Sequence, residues 1–261
     1  LFVTDRFVFL HQAKTGGTFV SAILARVHEA RGDRVTTVRA DVGQDVAAPV
    51  AGSAFKLMLG GRHQHGRRAD LPPSLRGHAV VATIRNPYDR YASQFEFAWW
   101  RRLPEMFGPV DETRRAYPSY PDLTFDEFVR LTNAVSVPAC PAASDPIGFH
   151  TFQFIESFAR NPGEAWRGLC DDSDRGRWAA ETEGVEYLDQ ARLNADLHAF
   201  LLRQGYAVGD VAFVQQADRI WPPEGGRPAG DDWRKYYSQE MKTFVRRRER
   251  LLFERFPQFD V

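Results

Sequence analysis

FVFLHQAKTGGTFV, Phe7–Val20, decides how this 261-residue chain is read. Four apolar residues, Phe7 to Leu10, run into a Lys-Thr-Gly-Gly-Thr turn, and an apolar helical pattern of Phe19, Ile23 and Val27 starts directly after it. The spacing predicts a buried strand over Arg6–His11 handing over to a helix over Thr18–Glu29. At such a junction the exposed N–H groups and the positive end of the helix dipole attract an anion. Gly16 and Gly17 let the backbone wrap closely, Thr15 and Thr18 add hydroxyl donors, and Lys14 adds a mobile charge. The lysine precedes the glycines, whereas in the Walker A loop it follows them.

Working outward, RVTTVRA (Arg34–Ala40), AFKLML (Ala54–Leu59) and HAVVATIR (His78–Arg85) read as three further strands, each followed by a turn signal or a helix. This rhythm predicts an α/β fold with a P-loop-like parallel sheet flanked by helices. After Arg85, Asn86 is an N-cap and Pro87 a first helical residue, which predicts a helix from Pro87 to about Arg101. Arg102–Tyr120 reads as a surface excursion. LTFDEFVRLT carries a capping box, Thr124 with Glu127. Val135–Gly148 is irregular. Leu193, Leu197, Phe200 and Leu201 mark an amphipathic helix that Gly205 stops. Trp221–Asp232 is a loop, and a final helix is expected from about Tyr236 to Phe256. The whole is expected to be a single domain, 1–261, with a nucleotide-binding core over about 6–100 and a helical, acceptor-side region over about 101–261.

Bulk composition excludes several classes. Hydrophobic residues make 43% and charged residues 26%, and the formal net charge is +0, so no global field favours nucleic acid or a membrane surface. Any anion site must be local. Two cysteines, Cys140 and Cys170, form neither a disulfide framework nor a metal cluster, although one bridge is open to them. No run approaches the roughly 18 apolar residues of a membrane span. The expected location is the bacterial cytoplasm, with a clipped lumenal domain as the alternative.

A second motif raises the specificity of the first. IRNPYDRYASQF sets Arg85 at a strand's C-terminal end and Ser93 two turns into the next helix. Ligands of doubly wound sheets bind at that end of the strands. Two anion-seeking elements point to a ligand with two separate phosphates.

With both motifs in hand, the chain resembles the PAPS-dependent sulfotransferases (PAPS is 3′-phosphoadenosine 5′-phosphosulfate). Lys14, Thr15, Gly16, Gly17 and Thr18 match that family's 5′-phosphosulfate loop, with Ala13 in place of the usual proline. Arg85, Asn86, Pro87, Arg90 and Ser93 match its 3′-phosphate element, R-[ND]-P-x-x-R-x-x-S. The segment Gly230–Phe256 is similar to the closing segment of bacterial and Golgi-type carbohydrate sulfotransferases. GRPAGDDW resembles the loop that closes over the 3′-phosphate in the cytosolic enzymes, with Arg227 and Gly230 in matching places and the lysine absent.

The resemblance implies transfer of a sulfuryl group from PAPS, as co-substrate and without a metal, to a hydroxyl of a carbohydrate or small metabolite. Lys14 would stabilise the leaving oxygen, the N–H groups of Thr15–Thr18 the 5′-phosphate, and Arg85 and Ser93 the 3′-phosphate. A histidine is the expected base. The 2-O-uronyl sulfotransferases carry an H-x-H stretch at about this place, which favours His63, with His65 second. His11 is expected to be structural. A zinc site on His63 and His65 lacks a third ligand at a recognisable spacing. Asp or Glu from the middle of the chain is a further source of a base. Arg62, Arg67 and Arg68 make this tract basic and would suit an anionic sugar, and the aromatic run Phe95–Arg102 could stack an acceptor. The competing readings are a P-loop-type kinase or other phosphotransferase, which needs Mg-ATP and an acidic strand end, and a non-catalytic nucleotide-binding module.

Overall fold

The computed structural model describes residues 1–60, 65–140, 146–171, 173–220 and 232–261. The chain divides into two compact units: Leu1–Arg85 with Glu156–Pro162 and Ala179–Pro222, and Asn86–Ile155 with Gly163–Trp178 and Pro223–Val261.

The first unit holds a six-stranded sheet: β1 (Phe2–Thr4), β2 (Phe7–Leu10), β3 (Arg34–Ala40), β4 (Ser53–Leu59), β5 (Ala79–Ile84) and β6 (Val185–Asp189). Their order is β3-β4-β1-β2-β5-β6. The pairs β2–β5, β5–β6 and β3–β4 are parallel. β1 is antiparallel to both its neighbours, with Phe2 opposite Phe9 and Phe2 opposite Lys56. The sheet is therefore mixed, which corrects the all-parallel expectation. The cause is local. The Thr4 hydroxyl accepts from the N–H groups of Arg6 (3.1 Å) and Phe7 (3.0 Å) and donates to the Phe7 carbonyl (3.1 Å). This knot folds the chain back after three residues, too few for a periodicity to register.

The helix α1 (Gly17–Ala30) follows β2 as the spacing requires. Its buried face of Phe19, Val20, Ile23, Leu24 and Val27 joins Phe7 and Phe9 of β2 and Leu193, Leu197, Phe200 and Leu201 in one core. The helix Leu193–Arg203 supplies the last four, and Gly205 stands at φ 78° just beyond it. Phe7 and Phe200 meet edge to face at 4.9 Å. Val8 and Leu10, on the alternate face of β2, are also fully buried.

The second unit is helical among its described residues. The helix expected over Pro87–Arg101 stops at Phe97 and resumes over Trp99–Arg102, because Ala98 turns left-handed at φ 48°. The break lets Trp100 turn in, stacked 4.7 Å from Phe128 with Nε1 donating to the Pro121 carbonyl at 2.7 Å, while Trp99 stays 39% exposed. The capping box of Thr124 and Glu127 opens the helix Phe125–Val135 as read. The C-terminal helix is two pieces, Gln239–Arg248 and Arg250–Arg255. Glu249 interrupts it by turning its carboxylate fully inward. There it accepts from the Tyr91 hydroxyl (2.6 Å), the His150 N–H (2.9 Å), and the Thr151 N–H and hydroxyl (2.8 Å each). Cys140 and Cys170 form a disulfide in this unit.

Candidate functional site

The end of β2 leads into a loop whose backbone departs from ordinary geometry twice. Lys14 has φ 63° and Gly16, the N-cap of α1, has φ 96°. The left-handed region costs a non-glycine residue roughly 1–2 kcal/mol, so surrounding contacts must hold Lys14 there. Thr15 is fully buried, and its hydroxyl donates to the Gln12 carbonyl at 2.9 Å. A hydroxyl has one proton, so the 2.7 Å contact between Thr15 Oγ1 and Thr83 Oγ1 is a bond donated by Thr83, from β5. Arg85, directly after β5, donates from Nη1 to the Lys14 carbonyl at 3.1 Å.

The two glycines have separate reasons. A Cβ on Gly16 would lie 2.7 Å from Leu193 Cδ2, and one on Gly17 would lie 2.0 Å from His11 Cδ2. Both demands come from protein packing. The outcome is that, among the described residues, no side chain caps the first turn of α1. A fourteen-residue helix thus presents its first N–H groups without an internal acceptor from a cap, which is the donor set an oxyanion needs. This donor chemistry fits the 5′-phosphosulfate of PAPS. The Thr15 hydroxyl, expected as a donor, is committed within the protein to Gln12 and Thr83. Thr18 is half-buried in the first turn.

His11 lies beneath this loop, 5% exposed. Burial, with the nearby His65 adding to it, drives its pKa from 6.5 down to about 3, so the ring is neutral. Its Nδ1 makes no hydrogen bond among the described residues. His65 packs edge to face against it at 4.7 Å, and His65 Nδ1 lies 2.9 Å from the His11 carbonyl. A carbonyl only accepts, so His65 carries a proton on Nδ1. His63 and Arg227 lie outside the described residues.

The basic tract after β4 reads differently in three dimensions. Arg67 donates to both carboxylate oxygens of Asp70 (2.9 and 3.0 Å) and to Glu156 (3.0 Å), which raises its pKa. Arg68 donates to the Glu183 carbonyl at 2.7 Å. These two arginines are engaged within the fold, and Arg62, the third of the tract, lies outside the described residues.

The second motif begins in the first unit at Arg85 and continues in the second with Asn86, Pro87, Arg90 and Ser93. Asn86 accepts from the Tyr88 N–H at 2.9 Å and Pro87 occupies the first turn, so both serve the helix start. Arg90 is buried and donates to Gln153 at 2.8 Å. Ser93 is buried on the same helix.

Two features escaped the sequence reading. Thr83 is a lone hydroxyl in an apolar strand, a signal that is visible but has no address until the loop is placed. Asp189 ends β6, which the alternation did not reveal, and its carboxylate accepts from the Ala191 N–H at 2.9 Å. Among the described residues no group of three or more His, Cys, Asp or Glu side chains could hold a metal ion, and no helix is long and apolar enough to cross a membrane. Compared with known proteins, the chain matches no family model, no curated protein and no solved structure.

Proposed function

We propose that the protein is a PAPS-dependent sulfotransferase of P-loop-like fold, acting on a hydroxyl of a carbohydrate or small metabolite. The observation that carries the reading is the uncapped N-terminus of α1, preceded by a left-handed lysine whose carbonyl meets Arg85 from the second motif.

In the proposed reaction the acceptor oxygen forms a bond to sulfur as the bond from sulfur to the 5′-phosphate oxygen breaks, leaving 3′,5′-ADP. The transfer is in line, so positioning and charge stabilisation supply most of the catalysis. Lys14 would neutralise the departing oxygen, the first N–H groups of α1 the 5′-phosphate, and Arg85 and Ser93 the 3′-phosphate. The acceptor proton would pass to a histidine. His65, with Nδ1 held by the His11 carbonyl, would take the proton on Nε2, and His63 is its rival. Loss of transfer in His65→Ala with His63→Ala active would select His65; the reverse would select His63.

The expected compartment shifts. A Cys140–Cys170 bond persists in oxidising surroundings, which supports the lumenal alternative over the cytoplasm. Two titratable thiols in protein isolated under alkylating conditions would refute that placement.

Calorimetric titration with 3′,5′-ADP, alongside 5′-AMP and Mg-ATP, tests the donor. Binding that depends on the 3′-phosphate is expected. Preference for Mg-ATP would move the assignment to a phosphotransferase, and binding of none of the three would remove the sulfotransferase reading.

A further inference from the structure

We propose that Arg85 is a positioning residue for Lys14, so that the end of β5 sets the shape of the anion loop and the two phosphate elements of the proposed donor site are energetically coupled. The ligand side of this inference rests on the PAPS reading; the restraint itself is a property of the unliganded chain. Lys14 is a non-glycine residue at φ 63°, and its carbonyl direction follows from that backbone. Arg85 Nη1 donates to that carbonyl at 3.1 Å. The next loop residue, Thr15, is tied to Thr83 at 2.7 Å. Thr83 and Arg85 stand two positions apart, and they fasten two consecutive loop residues.

A guanidinium carries five N–H donors in a fixed fork. The fork is rigid, so the bond to the Lys14 carbonyl moves with the whole plane. An anion that pulls the Arg85 plane therefore pulls the carbonyl of the residue whose ammonium meets the other phosphate. The PAPS reading makes Arg85 the reader of one phosphate, and the geometry makes it the support of the loop that would read the other. Ser93, on a helix of the second unit, has only the first.

The test has two arms. In unliganded protein, amide hydrogen exchange over Thr15–Phe19 is compared between wild type, Arg85→Ala, Arg85→Met and Arg85→Lys. Losing a hydrogen bond from a charged donor should accelerate exchange about tenfold in the first two variants. Arg85→Lys keeps one donor and should restore part of the protection. In the second arm, adenosine 5′-phosphosulfate, which lacks the 3′-phosphate, is titrated beside 3′,5′-ADP. Arg85→Ala should weaken both ligands, and Ser93→Ala only 3′,5′-ADP. Wild-type exchange in Arg85→Ala and Arg85→Met, with adenosine 5′-phosphosulfate affinity intact, would overturn the proposal. Faster exchange in a protein that binds neither nucleotide would uphold the positioning role and remove the sulfotransferase reading. Should Arg85→Ala fail to fold, the volume-preserving Arg85→Met against Arg85→Lys carries the same comparison.

Discussion

Two helix N-termini in this protein face the same physical demand and meet it in opposite ways. The helix Phe149–Phe158 receives an internal anion: the buried carboxylate of Glu249 accepts from the N–H groups of His150 and Thr151. Gly148 makes room, since a Cβ there would fall 2.3 Å from Glu249 Oε1. Helix α1 receives none, because its N-cap is Gly16 and no side chain caps its first turn. One end is closed by the protein's own charge and the other is where we propose that an anion from outside binds. The difference would separate structural from functional use of the same dipole.

The comparison can be broken first at Lys14. Lys14→Ala should lower the proposed sulfuryl transfer by about 10²–10³-fold, the usual effect of removing one electrostatic stabiliser, while the proposed ligand 3′,5′-ADP should still bind, only more weakly. Undiminished turnover would remove Lys14 from the mechanism.

At the closed end, Glu249→Ala leaves four buried donors without their acceptor. Burial pushes this carboxyl above its ordinary range and its hydrogen bonds pull it back, and no ion pair holds it among the described residues. Removing such a group should cost about 3 kcal/mol or more of unfolding free energy, read from urea melts. Glu249→Gln, which keeps part of the acceptor capacity, should cost less. Equal losses would mean that packing, not hydrogen bonding, is at stake.

His11 sharpens the contrast through pH. Its folded pKa of about 3 lies below the unfolded value of 6.5, so the unfolded chain binds more protons between those limits. Stability is then fully present above about 6.5 and declines as pH falls toward 3, with a slope of up to about 1.4 kcal/mol per pH unit. Urea melts across this range should show His11→Gln with a flatter profile than wild type. Superimposable profiles would show that another group governs acid sensitivity. The smallest effect is expected at the loop's tether. Thr83→Val removes one hydroxyl bond to Thr15 and should cost about 1 kcal/mol, with faster amide exchange at Thr15 than at residues of α1 beyond its first turn.

Much of this was legible in the linear chain because it depends on near neighbours. The β2–loop–α1 junction, the capping box at Thr124 and the Leu193 helix follow from side-chain period and cap chemistry, which act over a few residues. The failures have one character. β1 is too short for a period, the Pro87 helix breaks where Trp100 and Trp99 need different surroundings, and the last helix breaks where Glu249 finds donors far away in sequence. Arg67 and Arg68 read as a basic patch until Asp70, Glu156 and the Glu183 carbonyl meet them.

The sequence by itself determined that a strand, a glycine loop and a helix stand in that order, with Lys14 before the glycines and Arg85 ending a later strand. Only the tertiary structure decided which of those groups turn inward and which bond to one another. Thr15 became an internal bond to Thr83, and Arg85 met the Lys14 carbonyl. The physical reason is that hydrogen-bond partners are chosen by distance in space after the sheet has formed, whereas periodicity and capping are chosen by distance along the chain.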